Sequence, residues 1–236
     1  MSMIKNFISK LNECVLIEYD YYNFASINND VVNNRIDEDS ELILFCNNDI
    51  KLINEAITRM VDVYLNNKKI VGTIGCRLHY SDNTIQHSGI ITYISMNGRQ
   101  INGKNLVNIH LNHYGIRSYY NYHRGINKNV FGNTAAFMMI PTELFKSIGG
   151  FDTSYNECFE DVQLNIDCLK RGKNNIFVGD AVCYHYESQT RNKSDEKDES
   201  IINKEKSEYF SFESRFDNSN INHVEQVEKE KHEKSQ

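Results

Sequence analysis

The sequence predicts an α/β fold, on three observations. Short, continuous apolar runs of four to six residues alternate with helical apolar stripes. The Leu42–Cys46 run ends in Asn47-Asn48-Asp49 and the last run in His185, and the two later helical stripes end in glycine. The chain has 236 residues, one proline and no tryptophan, with 40% hydrophobic and 25% charged residues and a formal net charge of -6. One proline excludes collagen-like and proline-rich architectures. The acidic balance argues against a nucleic-acid binder, whose footprint would be basic.

The elements follow in order. A first apolar segment, Cys14-Val15-Leu16-Ile17, leads to Tyr21–Asn28. Leu42–Cys46 reads as a buried strand that stops at Asn47-Asn48-Asp49. Beyond it Ile53, Ile57, Met60, Val61, Tyr64 and Leu65 recur at helical spacing, which puts the Asn-Asn-Asp triplet in a strand-to-helix loop. Ile70–Gly75 continues as a strand through Leu78-His79-Tyr80 to the turn residues Ser81-Asp82-Asn83. Residues 92–128 are polar and tyrosine-rich and read as a long loop, in which Tyr119, Tyr120 and Tyr122 either stack on sugar rings or pack onto the core. Ala135–Ile140 reads as a buried strand. Pro141 begins a helix that Gly149-Gly150 ends, and a second helix runs from about Asp161 to Lys170-Arg171-Gly172. Two short strands, Ile176–Val178 and Val182–His185, complete the domain at residue 191.

Residues 192–236 hold eight Lys/Arg and twelve Asp/Glu, a net of -4. Apart from short islands at Ile201-Ile202 and Tyr209–Phe212, they lack apolar periodicity and read as a solvated, disordered or partly helical tail. Cys14, Cys46, Cys76, Cys158, Cys168 and Cys183 form no CxxC pair and read as small core residues of a reducing compartment. Met1–Lys10 carries no secretory signal and no apolar run reaches about 18 residues, which predicts a cytoplasmic chain. Abundant asparagine is explained as readily by the base composition of the coding genome as by structure.

In open α/β sheets ligands gather at the carboxyl ends of strands. Asn47-Asn48-Asp49, Glu160-Asp161 and His185 all fall at such ends or at helix starts. Asp49 and His185 suit a hard divalent cation that keeps its other positions for phosphate and water, and Asp161 suits a base. Each has a plainer reading. Asp49 is equally placed to cap the next helix, Glu160-Asp161 to complement a helix dipole, and His185 to be structural. His79, His87, His110, His113 and His123 lack ligand spacing and read as surface or loop histidines.

Several ordered stretches resemble the family-2 inverting glycosyltransferases. Asn47-Asn48-Asp49 after an apolar strand is similar to their DxD-type element. Val71–Gly75 through Asp82–Gly89 is similar to their "VGxxG…DGtIQHaG" stretch. Phe131–Ala135, Gly149–Asp152, Glu160–Leu164 and His185–Arg191 follow in the family's order. The resemblance covers about residues 15 to 191. It implies a GT-A-like, Rossmann-related mixed sheet flanked by helices, with Val15–Asn28 matching a later helix start. On that match roughly 60 to 80 residues of the nucleotide-binding βαβ segment are missing before it.

The implied activity is metal-dependent transfer of a sugar, with inversion, from a nucleotide-diphosphate sugar to a hydroxyl acceptor such as a glycan. The resemblance implies Mn²⁺ or Mg²⁺ on Asp49 and His185, and nucleotide-diphosphate contacts from Asn47, Asn48, Asp49 and Arg191. It further implies Asp161 as base beside Glu160, and Gly149, Gly150, Phe151 and Asp152 on the acceptor side. Asn47 stands where the first carboxylate is usual, and Gln163 follows the acidic pair where an acidic residue is usual. The second reading is a truncated binding or scaffold module, or one half of a split enzyme completed by a partner chain.

Overall fold

A computed structural model describes residues 15–101, 104–113, 126–155 and 159–186. A mixed sheet forms its centre. In chain order the elements are α1 (Phe24–Asn34), β1 (Leu42–Cys46), β2 (Ile50–Leu52), α2 (Ala56–Asn67), β3 (Val71–His79), β4 (Ile85–His87), β5 (Ile90–Ile101), β6 (Lys104–His113), β7 (Ile126–Val130), β8 (Phe137–Pro141), α3 (Thr142–Ile148), α4 (Glu160–Lys170) and β9 (Asn174–His185). Strand order is β1-β8-β3-β9-β2, with β4 added to β3 and β7 to β9. β3 and β9 run parallel; the other pairings in this sheet are antiparallel. No described helix is long and apolar enough to cross a membrane.

The helices form where the apolar spacing places them. Asn23 caps α1, its Oδ1 accepting from the Ser26 N–H at 2.7 Å. α2 buries Ala56, Met60, Val63 and Tyr64 against Val71, Ile74, Cys76, Ile176, Val178 and Cys183. A second cluster joins α1, α3 and α4 through Ala25, Val32, Phe45, Phe145, Phe151, Leu164 and Cys168. Pro141 ends β8 and stands at the N-cap of α3, where its missing N–H costs nothing. Gly149, at φ 98°, closes that helix in the left-handed region.

Several expectations are corrected. The described part of the first apolar segment, Val15–Ile17, forms no strand, and Val15 is 80% exposed. The loop expected at 92–128 is, over its described residues, largely strand: β5 pairs antiparallel with β6 from Ile90↔His113 to Ile101↔Lys104, and β7 joins β9. The Ile-Ile-Thr-Tyr-Ile run of β5 is β-branched and aromatic, and a two-stranded ribbon needs no continuous apolar face. The two last strands are one. Residues 179–181 stand outside the β3–β9 pairing as a bulge, held by Asn54, which donates to the Asp180 carbonyl at 2.7 Å and accepts from the Val182 N–H at 3.1 Å.

His79 and His87 are buried, not surface or loop residues, His79 at the end of β3 and His87 in β4, which pairs with it. Burial holds the His79 imidazole below its ordinary value. Cys76, Cys168 and Cys183 are buried as expected, whereas Cys46 is exposed at the end of β1. Burial pushes the Cys168 thiol up to about 12, which suppresses nucleophilic thiolate there.

Between the sheet and α4 lies a buried polar network. Thr73 Oγ1 donates to Asn165 Oδ1 at 2.6 Å, and Asn133 Nδ2 donates to Thr73 Oγ1 at 3.0 Å and to the Ile176 carbonyl at 3.2 Å. Asn165 exchanges bonds with the Asn133 backbone, accepting at 3.0 Å and donating at 2.7 Å. Asn175 Oδ1 accepts from the Thr73 N–H at 3.0 Å. Gly72, Gly75 and Gly132 leave room for these amides. A Cβ on Gly75 would stand 2.3 Å from Asn133 Oδ1 and 2.6 Å from Asn133 Cβ. Asn133 is tied at backbone and side chain and cannot withdraw without breaking its bonds. Gly75→Ala is therefore expected to destabilise the fold by roughly 1–3 kcal/mol. The check is a urea titration, in which an unmoved midpoint would refute the packing argument.

Candidate functional site

β2–β9 pairing assembles the first half of the site. Ile50 stands opposite His185 in the register, and the Tyr186 N–H donates to the Asp49 carbonyl at 3.0 Å. Asp49 is thereby drawn to the end of β9. The following helix begins only at Ala56, with Glu55 at its N-cap, so Asp49 does not cap it. The triplet's strand-to-helix loop is interrupted by β2, and that short strand is what turns Asp49 toward His185.

Asp49 Oδ1 lies 3.2 Å from His185 Nε2, and each side chain is only 12% exposed. His185 Nδ1 lies 2.7 Å from Gln86 Oε1. An amide oxygen only accepts, so this contact needs the proton on Nδ1, the tautomer of the neutral ring that leaves a lone pair on Nε2. Asn47 Nδ2 donates to that lone pair at 3.3 Å. Asp49 Oδ1 is buried and has no hydrogen-bond partner. Asp49 Oδ1 and His185 Nε2 thus stand side by side, at the spacing of two neighbouring ligands of one cation. Neighbouring ligands of an octahedral ion bound at about 2.1 Å stand about 3 Å apart, which this pair matches. Among the described residues no three or more His, Cys, Asp or Glu side chains gather as a metal-holding group. The chain's own contribution is this pair, with Asn47 beside it.

The second half is α4. Phe159, immediately before it, adopts φ 73°, a left-handed conformation that costs a non-glycine residue of order 1–2 kcal/mol. Glu160 and Asp161 form the first turn. Asp161 does more than complement the dipole, since its Oδ2 accepts from the Ala135 N–H at 3.0 Å. The next residue, Ala136, accepts from the Asn47 N–H at 2.9 Å through its carbonyl. The dipeptide Ala135-Ala136 therefore joins the Asp161 carboxylate to the Asn47–Asp49 turn. A second tie runs through Gln86-His87: Gln86 holds His185, while His87 Nε2 accepts from the Gly89 N–H at 3.2 Å and the Thr134 N–H at 3.4 Å.

Two comparisons bear on this arrangement. Over 176 residues the chain is 29% identical to the uncharacterized protein y4gI of Sinorhizobium fredii, covering 74% of the chain and 18% of that protein. Over 189 residues it is 27% identical to the O-antigen biosynthesis protein RfbC of Myxococcus xanthus, covering 75% of the chain and 13% of that protein. The chain thus spans less than a fifth of the length of these relatives. No family model matches it.

Gly149–Asp152 forms the turn after α3. Phe151 is 2% exposed, and its ring packs on Phe24, Phe45 and Phe145 at centroid distances of 5.4, 4.8 and 5.3 Å. Asn29 brackets its backbone, accepting from the Phe151 N–H and donating to its carbonyl, both at 2.8 Å. Gly150, at φ 80°, keeps Asn29 in place, because a Cβ there would meet Asn29 Oδ1 at 2.4 Å. Arg191, the three tyrosines 119, 120 and 122, His123, Cys14, Cys158 and the tail 192–236 lie outside the described residues. The set joined by these contacts is Asn47, Asp49, Gln86, His87, Asp161 and His185, and Asn48 lies in the turn between its two members Asn47 and Asp49. Gln86 and His87 were readable only as part of the "TIQHSG" stretch, not as contributors to the site.

Proposed function

We propose that the chain carries the catalytic portion of a GT-A-like, inverting, metal-dependent glycosyltransferase. The observation that carries this reading is the buried, unpartnered Asp49 Oδ1 beside His185, joined through Ala135-Ala136 to the Asp161 carboxylate. The O-antigen biosynthesis role in the name of the Myxococcus relative directs the reading to glycan synthesis.

A divalent Mn²⁺ or Mg²⁺ supplies Lewis-acid neutralisation of the departing nucleotide diphosphate. Asp49 and His185 would hold it, with Asn47, Asn48 and Arg191 toward the diphosphate. The acceptor hydroxyl oxygen attacks the anomeric carbon as the carbon–oxygen bond to the phosphate breaks, and a single displacement inverts that centre. Asp161 takes the hydroxyl proton. Its Oδ2 is engaged by the Ala135 N–H, which fixes the carboxylate and leaves Oδ1 for the proton. Glu160 adds negative charge beside it. The Gly149–Asp152 turn frames the acceptor through its backbone and Asp152, the Phe151 ring being committed to the core.

Thermal denaturation with UDP-, GDP- and dTDP-sugars, each with Mn²⁺, tests the reading. A cognate donor at a hundredfold excess over its Kd stabilises by about 2.7 kcal/mol. No shift with any donor refutes donor binding and favours a non-catalytic module.

A further inference from the structure

We infer that Gln86 is a positioning residue that holds His185 in the tautomer whose Nε2 lone pair faces Asp49, and so keeps the pair open to a divalent cation. The inference deepens the metal-dependent reading above and rests on it for its consequence, though not for its test. Four observations support it. The β3–β4 register passes from Leu78↔His87 to His79↔Ile85, leaving Gln86 as the extra residue of a β-bulge. Bulges beside functional sites re-aim a side chain, and here the re-aimed amide is only 5% exposed and reaches β9. Gln86 Oε1 stands 2.7 Å from His185 Nδ1, a short contact that only an Nδ1–H can make to an amide oxygen. On the far side of the ring, Asn47 Nδ2 at 3.3 Å donates to Nε2, and Asp49 Oδ1 at 3.2 Å has no hydrogen-bond partner.

The consequence is a choice between two states of one neutral ring. With the proton on Nδ1, Nε2 accepts from Asn47 Nδ2, Asp49 Oδ1 keeps an unshared lone pair, and a cation that displaces the Asn47 amide meets both donors. With the proton on Nε2, the ring donates to Asp49, the carboxylate is satisfied, and the two candidate ligands close on each other. Gln86 selects the first state. It does so by satisfying Nδ1–H with an acceptor, the role that outer partners of metal-bound histidines perform.

The test begins on the metal-free full chain. Long-range ¹H–¹⁵N correlation of ¹⁵N-histidine-labelled protein, assigned by His185→Gln, reads which ring nitrogen carries the proton at a pH where the ring is neutral. Wild type is expected to show protonated Nδ1, Gln86→Leu to show protonated Nε2, and Gln86→Glu, which retains an acceptor, to restore the wild-type pattern. Calorimetric titration with Mn²⁺ and UDP is expected to show 10–100-fold weaker Mn²⁺ binding in Gln86→Leu. A wild-type ring protonated on Nε2 overturns the inference, and this measurement needs no variant to fold. An unchanged tautomer in folded Gln86→Leu overturns it equally. A wild type with protonated Nδ1 that binds no Mn²⁺ supports the tautomer assignment and refutes the metal-dependent reading instead.

Discussion

Asp161→Asn is expected to lower the rate of sugar transfer by roughly 10²–10⁴-fold while leaving donor binding and melting temperature essentially unchanged. The asparagine keeps the length of the side chain and an amide oxygen to accept from the Ala135 N–H, so the tie between α4 and the segment before β8 survives. What it removes is the proton acceptor. Calorimetric donor affinity measured beside turnover separates the two roles. Asp161→Ala, by contrast, strands the Ala135 N–H and is expected to cost about 1 kcal/mol of stability as well. An Asp161→Asn protein with full turnover would remove Asp161 from the mechanism, while a large loss of stability in that variant would recast it as a structural strut.

The second large effect is expected at Asp49, where affinity and stability should move in opposite directions. Asp49→Asn keeps the size of the side chain and removes the charge from a buried oxygen that has no hydrogen-bond partner. The fold gains or holds stability, but the charged ligand is lost. Mn²⁺-dependent nucleotide affinity is expected to fall on the order of 100-fold. Calorimetry with and without EDTA, together with melting of the metal-free protein, reads both quantities. Unchanged affinity would exclude Asp49 as a ligand. A marked fall in metal-free stability would show that the carboxylate is already satisfied within the fold.

These expectations show where the sequence was readable. The Leu42–Cys46 strand, the α2 stripe, the α3 and α4 boundaries and the buried Ala135–Ile140 region follow from local periodicity and capping, and the structure contains them. The meeting of Asp49 with His185 was reachable through the ordered resemblance, since nothing local brings together residues so far apart in the chain. Gln86 and His87 were not reachable. Their roles depend on a bulge and on partners in β9 and before β8, and a histidine in a polar stretch carries no local sign of burial. The β5–β6 ribbon was missed because its apolar content is low, although Asn102-Gly103, a strong hairpin dipeptide, separates the two strands in the sequence.

The asparagines teach the same lesson. Their abundance has a genomic explanation, yet Asn133, Asn165 and Asn175 are fully buried and hydrogen-bonded across three elements. Composition treats all asparagines alike. The distinction between an exposed Asn34 and a buried Asn165 arises only when the glycines opposite leave space for an amide and the network supplies its partners.

The Ala135-Ala136 segment limits how such a site can change over evolutionary time. Neither residue has a reactive side chain, yet one peptide unit sets the separation between the carboxylate of α4 and the turn that carries Asp49. A residue inserted or deleted there would misplace both halves at once, so the length of this segment is a stricter requirement than the identity of its side chains. Side chains around the rim are free of this constraint, provided this ruler keeps its length.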